Sequence, residues 1–138
     1  MDGDANPVRF LFVDDEVMIL RALARVVRDE PYDVRFTDDV EETRRVIVQG
    51  EVDVFVCDKN MPHCDGVSLL ALATEAEPMI VRVLLSGDNA PAESRQLLLD
   101  GVADFVVDKP WGFLALRELR RVAASMARAR RSRRVSSH

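Results

Sequence analysis

Five short apolar runs alternate with amphipathic segments along the chain. The runs are Val8–Val13, Val34–Phe36, Val52–Cys57, Ile80–Leu85 and Phe105–Val107. Between and after them, apolar residues recur at the three- and four-residue spacing of a helix face. Within Phe10–Val13, Val54–Cys57 and Phe105–Val107 the apolar residues are consecutive, which is typical of parallel strands that helices cover on both sides. The pattern therefore predicts an α/β domain in which five parallel strands alternate with five helices.

Turn and capping residues set the predicted boundaries of these elements. Aspartates precede the first and second helices, Pro91 opens the fourth, and Gly50 and Gly101 end the second and fourth. The predicted helices cover about 15–28, 39–50, 67–74, 91–101 and 111–126. We expect residues 1–7 to be a flexible N-terminus, residues 8–126 to form the domain, and residues 127–138 to be an Arg/Ser-rich tail or linker.

Polar side chains follow four of the apolar runs. Asp14 and Asp15 follow the first run, Asp58 the third and Ser86 the fourth, and Lys109 lies two residues after the fifth. The carboxyl ends of parallel strands share one edge of the sheet, which is where open α/β folds bind ligands. Three carboxylates, a hydroxyl and an ammonium suit a divalent cation and a phosphoryl group. The sequence therefore predicts a phosphoryl-transfer site at this edge.

Within that site, Asp58 is the best candidate nucleophile. A carboxylate can attack a phosphoryl group and form an acyl phosphate. Asp14 and Asp15 would then help to hold Mg²⁺, which relieves the repulsion between clustered acids. A simpler interpretation, in which Asp14 and Asp15 only cap a helix and Lys109 is an exposed loop residue, leaves Asp58 unexplained.

The bulk composition narrows the class of protein. The chain has 138 residues and 48% hydrophobic content, which suits one globular domain. No apolar stretch is long enough to span a membrane and no signal peptide is recognisable, so we expect a cytoplasmic protein. Cys57 lies in an apolar run and is interpreted as a core residue. A zinc site built from Cys57, His63 and Cys64 would lack a fourth ligand at a typical spacing.

The net charge of −5 conceals an asymmetry. Eight arginines lie between Arg117 and Arg134, against one acid, Glu118. Such a basic segment could contact nucleic acid, but it has no aromatic residue, helix-turn-helix or zinc pattern, so nucleic-acid contact is the least favoured of three interpretations. A solvated helix end and linker to an output domain is the favoured interpretation. A dimer or partner surface is the second.

Four motifs occur in order along the chain: Asp14-Asp15, Asp58-Lys-Asn-Met-Pro62 with Asp65-Gly66, Ser86-Gly87 and Lys109-Pro110. Taken together, they resemble the receiver domain of bacterial two-component response regulators. The resemblance covers about Val8 to Ala124. It implies a flavodoxin-like (βα)5 fold, a three-layer sandwich with a parallel sheet of order 2-1-3-4-5.

The resemblance assigns roles to the residues at the strand ends. It makes Asp58 the phosphoacceptor, and Asp14, Asp15, Asp58 and the backbone carbonyl of Asn60 the ligands of Mg²⁺, with Mn²⁺ as an alternative. Two positions in receivers border the phosphoryl group and tune its lifetime. Here they are Asn60 and Asp88, although Asp88 could instead only cap the fourth helix.

The same resemblance implies a conformational switch. Ser86 would turn toward the phosphoryl group and Lys109 would pair with it, with a cis peptide bond before Pro110. The switch aromatic of the family usually lies three residues before the lysine, where this chain has Val106. The nearest aromatic is Phe105, which could take the role through a local bulge.

These roles imply a signalling domain rather than an enzyme. The expected partners are a sensor histidine kinase or phosphotransfer protein, an output domain C-terminal to His138, and a second copy through the face of the fourth helix, fifth strand and fifth helix. The competing class is an aspartyl-phosphate phosphohydrolase. Such enzymes usually carry a cap and place their two acids two residues apart, whereas Asp14 and Asp15 are adjacent. A nucleotide-binding domain would show a glycine-rich loop after the first strand.

Overall fold

A computed structural model describes residues 6–16, 18, 21, 22, 24, 25, 28, 30–61, 64–87, 90–108 and 113–136. Five parallel strands form the central sheet, in the order β2-β1-β3-β6-β7. They are β1 (Arg9–Val13), β2 (Asp33–Thr37), β3 (Val54–Asp58), β6 (Val81–Ser86) and β7 (Phe105–Asp108). Counted among the parallel strands alone, this order is 2-1-3-4-5. The predicted α/β fold, its strand order and its parallel sheet are therefore confirmed.

A short antiparallel hairpin lies between β3 and the next helix. It consists of β4 (Asn60–Met61) and β5 (Cys64–Asp65), paired as Asn60 with Asp65 and Met61 with Cys64. The sequence pattern indicated only a loop there, because two-residue strands are too short to show a periodicity. The hairpin folds the chain back directly beside the end of β3.

Four helices have described bounds, and their ends follow from local chemistry. Asp39 caps the first through its Oδ1, which accepts the amide of Glu41 at 2.9 Å, and Asp65 caps the second by accepting from Val67 at 3.0 Å. Gly50 and Gly101 have φ angles of 73° and 74°, which suit the chain reversal after a helix. The helices are α1 (Val40–Val48), α2 (Gly66–Ala76), α3 (Pro91–Leu99) and α4 (Phe113–Ser136). Residues 18, 21, 22, 24 and 25 are helical as well and lie within the predicted first helix. The labels α1 to α4 therefore correspond to the predicted second to fifth helices.

Two hydrophobic clusters cover the two faces of the sheet. Alternate residues of β1 separate them, with Phe10 and Phe12 in one and Leu11 and Val13 in the other. The first cluster includes Ala123, Ala124 and Ala127 of α4, and the second includes buried residues of α1 and α2. Every residue of β3 is buried, so this strand delivers Asp58 from the middle of the core.

The C-terminal helix stays packed well beyond Met126. Arg130 donates to both carboxylate oxygens of Asp104, at 3.1 and 2.7 Å, and Arg131 donates to Asp53 at 2.7 Å. These acids precede β7 and β3, so the contacts lie at the amino edge of the sheet, opposite the predicted site. The structure therefore places residues 127–131, within the segment expected as a tail, against the domain.

Arg120 is a third arginine of this helix that points inward. Its side chain is 1% exposed and forms an ion pair with Glu30. With Arg130 and Arg131, three of the eight arginines of the basic segment serve the fold itself. Among the described helices, none is long and apolar enough to cross a bilayer.

Candidate functional site

Four acidic side chains converge at the carboxyl edge of the sheet. Asp14, Asp15, Glu16 and Asp58 each offer one carboxylate oxygen, and these four oxygens lie within 4.8 Å of one another. Asp14 and Asp58 are buried, at 1% and 3% exposure, whereas Asp15 and Glu16 are exposed. The cluster therefore has a buried floor and a solvent-facing rim.

Strand pairing explains why the floor of the cluster forms. β1 and β3 are neighbours, with Val13 opposite Cys57, so the next residue of each strand arrives at the same place. The Asp14 amide donates to the carbonyl of Thr37 at 3.2 Å, and Asp14 Oδ1 accepts from the Glu16 amide at 2.9 Å. Asp14 therefore combines a turn-stabilising role with its place in the cluster.

The donor set fits a hard divalent cation. Mg²⁺ prefers oxygen ligands and keeps several waters, and a half-open cluster of carboxylates provides for both. Four carboxylates at this spacing repel one another, and a bound cation would offset that repulsion. Glu16 was not among the predicted site residues, although the uninterrupted acidic run Asp14-Asp15-Glu16 was its signal in the sequence.

A depression of about 580 Å³ opens beside the acidic cluster. Asn60, whose backbone carbonyl is a predicted metal ligand, lies on its wall in the β4–β5 hairpin and is exposed. The depression is lined by Asp15, Lys59, Asn60, Met61, Cys64 and Asp65. Because Asp15 belongs to both, the depression leaves open space on the solvent side of the acidic cluster.

Gly66 permits a close approach between α2 and the end of β3. A Cβ added there would overlap the carbonyl oxygen of Asp58 and lie 2.9 Å from the Cα of Lys59. The Gly66 amide also donates to the Lys59 carbonyl at 2.9 Å. Backbone on both sides leaves no flexible side chain that could yield.

We expect Gly66→Ala to destabilise the domain by about 1–3 kcal/mol, the usual cost of overpacking. It should also displace the backbone of Asp58 and slow the phosphoryl uptake that the sequence predicts at that residue. Urea denaturation measures the loss of stability, and intact mass after treatment with a phosphoryl donor measures the uptake. Gly50→Ala is the matched control, because its φ of 73° strains alanine while no atom lies within 4 Å. That variant should lose stability and keep the uptake rate. Equal uptake rates in Gly66→Ala and the wild type would contradict the prediction.

Ser86 lies beside Asp58 at the same edge. Asp58 pairs with Leu85 of β6, so Ser86 is the next residue along that strand, and its side chain is 1% exposed. The predicted residues Asp88 and Lys109 lie outside the described part of the chain, as does Pro110. The structure thus brings together Asp14, Asp15, Asp58 and Ser86.

Phe105 and Val106 belong to opposite faces of the sheet. Phe105 packs against the hydrophobic cluster that contains α4, whereas Val106 packs against the cluster on the other face. Pairing between β6 and β7 runs without interruption from Val83–Phe105 to Ser86–Asp108, so the described strand shows no bulge. Phe105 therefore lies on a different face from the position of the usual switch aromatic.

Cys57 is a structural residue of the sheet. It is fully buried, and this burial raises the pKa of its thiol well above the ordinary value. The nearby charge of Asp58 raises that pKa further. A neutral thiol is a poor metal ligand. Its Sγ donates to the carbonyl of Asp58 at 3.3 Å, so it supports the backbone of the site instead.

Comparisons with known proteins agree with this arrangement. The chain is 31% identical over 137 residues to the transcriptional regulatory protein PrrA of Mycobacterium tuberculosis, covering 99% of this chain and 57% of PrrA. It is 32% identical over 105 residues to the hydrogenase transcriptional regulatory protein HoxA of Cupriavidus necator, covering 73% of this chain and 21% of HoxA. The chain thus spans between a fifth and three fifths of the length of these relatives.

Solved structures and the family pattern point the same way. The receiver domain of an HD domain-containing protein from Pseudomonas fluorescens Pf-5 is 26% identical, with a TM-score of 0.82 over 93% of this chain and 94% of that one. A CheY-like receiver domain from Methanospirillum hungatei shares the fold, with a TM-score of 0.80 over 90% of this chain and 98% of that one, at 22% identity. The sequence pattern of the response regulator receiver domain matches residues 10–121. The chain therefore belongs to the response regulator receiver domain family.

Proposed function

We propose that this receiver domain accepts a phosphoryl group on Asp58 from a phosphohistidine of a sensor kinase or phosphotransfer protein, in a Mg²⁺-dependent reaction in the cytoplasm. The observation that carries the proposal is the acidic cluster, in which buried Asp58 lies within 4.8 Å of three further carboxylate oxygens. A buried carboxylate at an open edge is accessible to one small electrophile from the solvent side. The neighbouring depression leaves room for that electrophile.

The chemistry needs a nucleophile, charge compensation and a leaving group. An oxygen of Asp58 attacks phosphorus as the P–N bond of the donor breaks, and the donor imidazole nitrogen keeps the bonding electron pair and is protonated. The divalent cation, when bound by Asp14, Asp15, Asp58 and the Asn60 carbonyl, supplies positive charge for the phosphoryl oxygens. The Ser86 hydroxyl donates a hydrogen bond to one of them, and Lys109 contributes an ammonium.

We infer a signalling role rather than metabolic turnover. Phosphorylation would shift a two-state equilibrium of the domain, with Asn60 and Asp88 tuning how fast water removes the group. The relatives PrrA and HoxA are named as transcriptional regulators and are longer than this chain, which supports control of an attached output domain. Exposed Leu98 and Leu99 of α3 and Val122 of α4 support pairing of two copies on the face of α3, β7 and α4.

The test is phosphorylation by a small donor. The protein is incubated with acetyl phosphate in three separate reactions, which contain Mg²⁺, Mn²⁺ or a chelator. Its intact mass is followed over time in each. We expect a single phosphoryl adduct that requires either cation and is lost slowly after the donor is removed. Borohydride reduction, which acts on acyl phosphates, should then mark residue 58 in a peptide map. No adduct under any condition, or rapid hydrolysis of many phosphate esters without an adduct, would overturn the proposal.

A further inference from the structure

Lys59 connects the phosphoacceptor strand to helix α3. Its backbone amide donates to the carbonyl of Leu85 at 2.9 Å, which fixes the residue between the ends of β3 and β6. Its side chain is only 10% exposed, and Nζ lies 2.6 Å from Oε1 of Glu93 in the first turn of α3. One side chain therefore joins the backbone next to Asp58 with a different helix.

Helix α3 has little else to hold it among the described contacts. It has no buried residue, and Ala90 at its N-cap provides no side-chain hydrogen bond. Leu97 is partly buried against the core, whereas Leu98 and Leu99 are exposed. An ion pair with a nearly buried lysine is therefore a substantial part of the anchoring of this helix.

The charge near Lys59 changes when Asp58 is phosphorylated. A carboxylate with one negative charge becomes an acyl phosphate with roughly two, and the added oxygens extend outward from the strand end. Lys59 lines the depression next to that position, together with Asp15 and Asn60. The ammonium is then attracted to the phosphoryl oxygens, and Glu93 loses part of its partner's charge.

We propose that the Lys59–Glu93 ion pair is a latch, which holds α3 against the end of β3 next to Asp58 and loosens when Asp58 carries a phosphoryl group. The phosphorylation-dependent part of this inference rests on the function proposed above. The latch gives the domain a direct electrostatic route from Asp58 to α3. Such a route does not depend on an aromatic side chain, and this chain has Val106 where its family usually places one.

The experiment measures amide hydrogen exchange of residues 91–99 in the wild type and in Glu93→Gln. Glu93 is half-exposed, so the variant is expected to fold, and it leaves the acidic cluster intact. Glu75→Gln, an exposed glutamate on α2, is the matched control. Exchange is recorded before and after treatment with acetyl phosphate and Mg²⁺, and intact mass reports the adduct in each sample.

Without a phosphoryl group, Glu93→Gln should exchange about two- to fivefold faster in α3 than the wild type, the factor expected of one partly buried ion pair. Phosphorylation should speed exchange in the wild type and in Glu75→Gln by a similar factor and change Glu93→Gln little. Equal rates in the wild type and Glu93→Gln before phosphorylation would overturn the latch itself. An equal increase in both would overturn its dependence on phosphorylation. Failure of the wild type to form an adduct would instead refute the proposed function, which the mass measurement detects separately.

Discussion

Asp58→Asn is expected to reduce phosphoryl uptake by more than about hundredfold, because an amide oxygen is a far weaker nucleophile than a carboxylate. The residue lies at the buried floor of the acidic cluster, and asparagine keeps its size. The same substitution should stabilise the metal-free domain by about 0.5–2 kcal/mol, since it removes one of four mutually repelling carboxylates. Added Mg²⁺ should narrow that difference in unfolding free energy, because the cation stabilises the wild type more than the variant.

Intact mass after acetyl phosphate treatment and urea denaturation with and without Mg²⁺ measure both effects. Asp33→Asn is the control, an exposed aspartate at the amino end of β2, far from the cluster. It should retain full uptake and change stability by less than about 0.5 kcal/mol. An Asp58→Asn protein that still takes up a phosphoryl group at the wild-type rate would show that the nucleophile is another residue.

The position of the site could be predicted from the sequence because strand ends are marked by a change from apolar to polar residues. Asp14, Asp15 and Asp58 each follow such a run, and parallel pairing brings those ends to one edge. Glu16 was harder to foresee, since it lies one step into the segment expected to be helical. Whether its carboxylate turns back toward Asp58 depends on the backbone turn that the Asp14 side chain stabilises.

The packing of the C-terminal helix could not be predicted from local pattern. Arg131 meets Asp53 across 78 positions and Arg130 meets Asp104 across 26, so no short-range spacing reveals either pair. Along the sequence, these arginines resemble a solvated basic segment. The small residues that let the helix approach the sheet, Ala123, Ala124 and Ala127, carry a weak hydrophobic signal because alanine is common on every face of a helix.

Asp104 holds together a charged junction at the amino edge of the sheet. Its carboxylate accepts the amide of Arg82 at 2.8 Å and forms two hydrogen bonds with the guanidinium of Arg130. The side chains of Arg82, Arg130 and Asp104 are between 7% and 19% exposed. Burial alone would raise the pKa of Asp104, but the hydrogen bonds and positive charges of the two arginines outweigh it and lower that pKa.

We expect Asp104→Ala to destabilise the domain by about 2–4 kcal/mol, because it leaves two largely buried guanidinium groups without their counter-charge.

The loss should depend on pH. Since the pKa of the Asp104 carboxyl is lowered in the folded state, the contribution of Asp104 to stability is fully present above the ordinary pKa of about 4 and is lost as the pH falls through the lowered value. The difference in unfolding free energy between the wild type and Asp104→Ala should therefore be constant near neutral pH and shrink in acid. Urea denaturation across this pH range measures it. Asp100→Ala, at an exposed position directly after α3 and four residues before Asp104, should cost less than about 0.5 kcal/mol at every pH. If Asp104→Ala is no less stable than Asp100→Ala at neutral pH, the junction does not anchor α4, and the helix is held by its alanine face and by the ion pairs of Arg120 and Arg131.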